Sequence, residues 1–201
     1  MGMTKGKKVN RVHKSEQLAR SAFELFAEKG FANVNLEQIA ARAEVTKGSL
    51  YWHYDNKQEL IHAACQYYYS QWHEQAQVEI ASVSDPLERL QRVLAFSVNT
   101  CLMDSRNRLF TTGVFTLLQT DKDVREGWKK FYGSVREVYI GLVSKMPFAQ
   151  KLGKAAVRRN VDLMLEAMEG LKFRAGFEPH IANPKERRSM VEGHLRILCH
   201  E

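Results

Sequence analysis

Residues 33–60, NVNLEQIAARAEVTKGSLYWHYDNKQEL, constrain the fold more than any other stretch. Two helical patterns follow each other there with room between them only for a turn. Asn35 followed three residues later by Gln38 is a capping-box pattern, and Leu36, Ile39, Ala40 and Ala43 then fall on one helical face. One helix therefore starts at Asn35. Ala43, Glu44 and Val45 form the turn, and Thr46 is a good N-cap for a second short helix. In that helix Leu50 and Tyr54 sit four apart and can face inward, which leaves Thr46, Lys47, Ser49, Tyr51 and His53 facing outward. Gly48 and Ser49 are small enough for a sugar-phosphate chain to approach closely. Asn56 with Glu59 is a further capping box that opens a long helix, and Lys57 lies at its positive N-terminus, where a phosphate is favoured. A helix-turn-helix over about 35–54 with such outward groups suits one helix to a DNA major groove.

The net charge of +7 is unevenly placed. Residues 1–14 hold Lys5, Lys7, Lys8, Arg11 and Lys14 and no acid, so they read as a basic flexible arm that can add salt-dependent affinity for a flanking groove or phosphate. The same N-terminus has charge but no apolar segment after it, unlike a signal peptide, and no run approaches the length of a membrane span. A cytoplasmic location is expected. Cys65, Cys101 and Cys199 are odd in number and far apart, which favours reduced thiols.

Catalysis finds no support. There is no Gly-rich phosphate loop, no HExxH and no GxSxG. His62 and His73 lie eleven apart on one helix, too far to chelate one metal, and His194 and His200 face differently. The expectation is a chain that is not an enzyme and has no metal and no cofactor.

Beyond residue 60 the pattern is all-α. Only four prolines occur, and no segment keeps a period of two between turns. Helices are predicted from Lys57 to about Ala81, from Asp85-Pro86 to about Met103, from Leu109 to Leu118, from Asp121 to Lys145, over 154–175, and from Asn183-Pro184 to about Cys199. The whole chain then has about nine. Its expected domains are the arm at 1–14, a DNA-binding domain at 15–60 and a helical domain at 61–201.

The segment from Leu18 to Leu60 resembles the DNA-binding domain of the TetR family of bacterial transcriptional regulators. The resemblance is carried by Ala22, Leu25, Phe26 and Gly30, by Ile39-Ala40, by Val45-Thr46-Lys47-Gly48, by Leu50-Tyr51 and His53-Tyr54, and by Lys57 with Leu60. Tyr51-Trp52-His53-Tyr54 followed by Asp55-Asn56-Lys57 looks most like the AcrR-like efflux-regulator branch. One residue departs from the pattern: many members carry Gly where this chain has Glu44, and a non-Gly residue in a left-handed conformation costs roughly 1 kcal/mol.

The resemblance implies a homodimeric, sequence-specific DNA-binding regulator, most simply a repressor that a small, largely apolar or aromatic ligand releases from a palindromic operator. The alternative is an architectural or accessory DNA-binding protein without an inducer. DNA contacts are expected from Thr46, Lys47, Gly48, Ser49, Tyr51, Trp52, His53 and Lys57, with Lys47 reaching guanine O6 or N7 and Lys57 a phosphate. Trp52 could pack under the turn or lie against the DNA backbone. Family members enclose an effector pocket in the middle helices, which here offer Tyr68, Trp72, Phe96, Met103, Phe110, Phe115, Trp128, Phe131 and Met164, although aromatics at helical spacing also build cores. Members dimerise through their last two helices. Leu165, Met168, Leu171, Met190, Val191, Leu195 and Leu198 are the matching candidates, with intramolecular core as the other reading.

Overall fold

The computed structural model describes residues 5–200, with side chains from residue 13 onward. Among the described residues nine α-helices occur and no β-strand: α1 (Lys5–Lys29), α2 (Leu36–Arg42), α3 (Lys47–His53), α4 (Lys57–Ala81), α5 (Pro86–Val98), α6 (Ser105–Leu117), α7 (Lys122–Val143), α8 (Pro147–Arg174) and α9 (Arg187–Cys199). Among the described residues no helix is long and apolar enough to cross a membrane. The chain forms two compact units. The first runs as far as Gln71 and takes in Leu109–Gly127; the second comprises Trp72–Arg108 and the chain from Trp128 onward. The dividing points fall inside α4, α6 and α7.

Local signals place most boundaries. Asn35 accepts from the Gln38 backbone N–H at 2.9 Å while the Gln38 side chain accepts from Asn35 N–H at 2.9 Å, a complete capping box. Thr46 caps α3 through Ser49 N–H at 3.1 Å. At α4 the box is shifted by one: Asn56 accepts from Glu59 N–H at 3.0 Å, but the Glu59 carboxylate takes the N–H of Asp55 at 2.8 Å. Asp85 caps α5, with Pro86 in the first turn where its missing N–H costs nothing.

Between α2 and α3 the backbone makes a Schellman turn, in which Val45 N–H reaches Ala40 C=O at 3.0 Å and Glu44 N–H reaches Ala41 C=O at 3.1 Å. That turn requires a left-handed residue, and Glu44 supplies it at φ 53°. The departure seen in the sequence is thus a strained position in the fold. Glu44→Gly is expected to stabilise the protein by about 0.5–1 kcal/mol, the relief of strain exceeding the extra freedom glycine gives the unfolded chain. Equilibrium denaturation in urea measures it; an unchanged midpoint would show that Glu44 bears no strain.

Four helix predictions change. The α-helix begun at Pro86 ends at Val98, and Asn99–Met103 form a π-helical turn, whose Leu102 and Met103 carbonyls accept from the Arg108 guanidinium. α6 starts at Ser105 and not at Leu109, because Asp104 accepts from the N–H groups of Arg106 and Asn107. The helix expected from 154 begins at Pro147 and is broken at Gly153, φ 78°, a conformation open to glycine without strain. Asn183 caps only a 3₁₀ turn, Pro184–Glu186, ahead of α9. The expected arm at 1–14 lies partly outside the described residues; from Lys5 the backbone continues into α1.

Unit 1 has its own core. Leu18, Ala22, Leu25 and Phe26 of α1 are buried at spacings of four, three and one, together with Ile39 and Ala40 of α2, Leu50 of α3 and Leu60, Ile61 and Ala64 of α4. Unit 2 is centred on Leu90 and Leu94 of α5, Tyr139 of α7, Val161 and Met164 of α8, and Leu198 of α9. The buried Tyr139 hydroxyl is satisfied by donating to Ser97 Oγ at 2.7 Å.

Candidate nucleic-acid interface

The second helix of the pair is held from beneath and bare above. Leu50 is fully buried, and α1 pins both ends of the motif: Gln17 Nε2 donates to Ala43 C=O at 2.8 Å, Tyr54 Oη donates to Ser15 C=O at 3.2 Å, and Ser15 Oγ lies 2.8 Å from Tyr54 Oη. Arg42 of α2 adds a bond to Glu28 of α1 at 2.7 Å. Against this frame Thr46, Lys47, Gly48, Tyr51 and Trp52 are exposed, with Ser49, His53 and Lys57 half-buried. Trp52 is 58% exposed and Tyr51 42%, so Trp52 is not packed under the turn. Its ring stands edge-on to His53 at 4.9 Å.

Lys47 has a partner that spacing along the chain did not suggest. Its Nζ lies 2.6 Å from Glu37 Oε1 on α2 and 5.9 Å from the centre of the Tyr51 ring. The hydrogen bond and charge of Lys47 hold the Glu37 carboxyl below its ordinary pKa, and Glu37 raises that of Lys47. The ammonium is therefore poised on the outer face of α3, shared with a carboxylate that a phosphate chain would repel. Glu37→Gln is expected to tighten DNA binding several-fold, most strongly at low salt. Titration of a labelled duplex at two ionic strengths reads this out, and weaker binding would mean that Glu37 itself contacts a base.

Residues 18–64, which span α2, α3 and the frame around them, match the model of the bacterial regulatory proteins, tetR family. Residues 18–64 are thus a TetR-type DNA-binding domain. The chain is 38% identical over 55 residues to the uncharacterized HTH-type transcriptional regulator YerO of Bacillus subtilis, 27% of this chain and 19% of that one. It is 26% identical over 153 residues to a Pseudomonas putida protein named "Probable HTH-type transcriptional regulator ArpR", covering 76% of this chain and 73% of that one. The match to YerO thus spans under a fifth of that protein's length. A crystal structure of a TetR transcription regulator from Haloarcula marismortui superposes with a TM-score of 0.77 at 13% identity, covering 93% and 97% of the two chains, which shows the fold. The relatives the chain matches are named as HTH-type transcriptional regulators.

The residues expected around an effector are divided between the two units. Tyr68, Phe110 and Phe115 belong to unit 1 and the other six to unit 2. Phe110 is fully buried against Phe23, Phe31 and Tyr68, with ring centres 4.9, 5.3 and 5.5 Å away, so it is core of the DNA-binding unit. In unit 2, Trp72 lies 6.0 Å from Phe96 and 5.9 Å from Phe131, which in turn lies 5.6 Å from Trp128. Met164 is fully buried, and Met103 packs against Leu102, Ala175 and Ile181. Beside the aromatic group sits a charge the sequence reading missed. Lys172, only 2% exposed, pairs with Glu169 at 2.5 Å and lies 5.8 Å from the centre of the Trp128 ring. A Glu-Lys pair three apart on a helix usually reads as solvated surface, which is why it gave no signal.

The dimer candidates also separate. Leu165, Met168 and Leu198 are buried within the chain itself, Leu171 and Met190 cover the Leu102 cluster, and Val191 and Leu195 line a groove with α5. Most of that apolar surface is therefore hidden locally, as the intramolecular-core reading allows. What α8 leaves outside is another strip: Ala155, Arg159, Leu163, Glu166, Gly170 and Phe173 are all exposed, Leu163 at 48% and Phe173 at 68%.

Proposed function

We propose that this chain is a homodimeric repressor of the TetR family that reads a palindromic operator with two copies of α3 and is released by a small, largely apolar or aromatic ligand bound in unit 2. The observation that carries the reading is α3 itself: Leu50 anchors it, Thr46 caps it, and Lys47, Tyr51 and Trp52 are exposed along one side. A single seven-residue helix reaches few base edges, and a two-fold dimer doubles the contacts without a new surface. The exposed strip of α8, with spacings of four, four, three, four and three and the small Ala155 and Gly170 within it, suits close packing against a second helix.

The effector reading rests on Trp72, Phe96, Trp128 and Phe131, with Lys172 and Glu169 as polar points that can orient a head group. The ligand acts by differential affinity: it stabilises a dimer whose head separation no longer fits successive major grooves. A tenfold loss of operator affinity requires about 1.4 kcal/mol of such coupling.

Selection of bound duplexes from a random DNA library, at two salt concentrations, tests this. A palindromic site with steep salt dependence is the expected result. Enrichment of no sequence, with binding lost at moderate salt, would replace it with an architectural role.

A further inference from the structure

On α4, Gln58 and His62 lie one turn apart, and both reach the start of α7 within unit 1. There Asp121 gives its two oxygens different work. Oδ1 accepts from the backbone N–H groups of Asp123 at 2.8 Å and Val124 at 2.9 Å, capping α7. Oδ2 faces α4, where it lies 2.9 Å from His62 Nε2 and takes the Gln58 amide. Asp123, exposed in the first turn of α7, completes a group in which one ligand atom from each of His62, Asp121 and Asp123 lies within 4.8 Å of the others. Burial pushes the Asp121 carboxyl up, but the Val124 amide and His62 outweigh it and hold the group below the ordinary range.

We propose that His62, Asp121 and Asp123 form a binding site for a divalent transition-metal ion of the zinc, cobalt or nickel class. The donor set is one imidazole nitrogen and two carboxylates, borderline rather than hard, which favours these ions over magnesium or calcium. Two carboxylates can balance the charge of a divalent ion, and three protein ligands leave positions for water.

The geometry is close to what such an ion needs. Metal–ligand bonds of about 2.0–2.2 Å set tetrahedral ligand atoms roughly 3.4 Å apart. His62 and Asp121 have to separate by a few tenths of an ångström, and the exposed Asp123 carboxylate swings inward by a side-chain rotation. His62 and Asp121 are only 32% and 13% exposed, so two ligands are held by packing while the third closes the site. Bound there, the ion fastens the second turn of α4 to the cap of α7 inside the DNA-binding unit. Chain spacing does not reveal it, since the imidazole and the nearest carboxylate are 59 residues apart.

Titration of the full-length protein with Co2+, followed by the visible d–d absorption and then competed with Zn2+, tests the site. The expected result is a saturable spectrum that Zn2+ erases, with affinity at least tenfold lower in both His62→Ala and Asp123→Asn and unchanged in His73→Ala. Asp123→Asn alters an exposed side chain, so it decides the matter if His62→Ala melts early by circular dichroism. A spectrum retained in Asp123→Asn, the absence of any saturable spectrum, or an intense sulfur-to-cobalt band marking cysteine ligation would overturn the assignment.

Discussion

Replacing Lys47 by alanine is expected to weaken operator binding by roughly ten- to a hundredfold for each half-site, and to relax base preference at one position in each. The ammonium stands at the first position of α3, above a helix whose buried Leu50 fixes its depth. In the free protein it is held by Glu37 at 2.6 Å, so the base contact replaces an ion pair and does not recruit a wandering side chain. That preorganisation keeps the entropic cost of the contact small. In a two-fold complex both copies lose the contact, so the combined loss is on the order of a hundred- to ten-thousandfold. Lys57→Ala provides the contrast. Lys57 opens α4, where the helix N-terminus favours phosphate, so its loss should weaken all sequences evenly and lower the salt slope. Fluorescence anisotropy on the selected operator, on duplexes changed at single positions, and at several salt concentrations separates the two effects. If Lys47→Ala bound every duplex as the parent protein does, α3 would not be the reading helix.

What was legible in the sequence was whatever short-range chemistry specifies. The caps at Asn35, Thr46 and Asp85 name their own helices because the acceptor and the N–H it satisfies are three residues apart. Glu44 was visible as a departure, and the turn's left-handed requirement turned it into a strained residue. The interface lost legibility where partners lie across a turn: nothing in the spacing of Glu37 and Lys47 announces an ion pair, since only the angle between α2 and α3 brings them together.

Periodicity likewise identified which residues of α8 and α9 are apolar but not what covers them. Leu165 and Met168 proved to be the buried side, and the strip through Leu163 and Phe173 the bare one. The aromatic residues of the middle helices divide between the two units for a topological reason. Residues 109–127 return to the first unit, so Phe110 and Trp128, both on amphipathic helices, serve different cores.

Phe110→Ala is therefore expected to destabilise the protein by about 3–5 kcal/mol, the range for removing a fully buried aromatic ring. Three rings surround it within unit 1, and the edge-to-face contact with Phe23 at 4.9 Å adds to the apolar area lost. The hole has little means of closing. One turn along α6, Gly113 already touches Phe31 so closely that a Cβ there would stand 2.5 Å from the ring, and Phe31 in turn lies tilted against Phe26 with ring centres 4.7 Å apart. α6 cannot move toward α1 without driving its backbone into Phe31, so the cavity term adds to the transfer term. At this chain length the melting temperature should fall by roughly 6–20 °C. Phe110→Leu should lose much less, since most of the volume remains. Thermal unfolding followed by circular dichroism distinguishes this role from the one spacing suggested: a side chain lining an effector pocket could be trimmed for less than about 1 kcal/mol, because the pocket already tolerates space beside it.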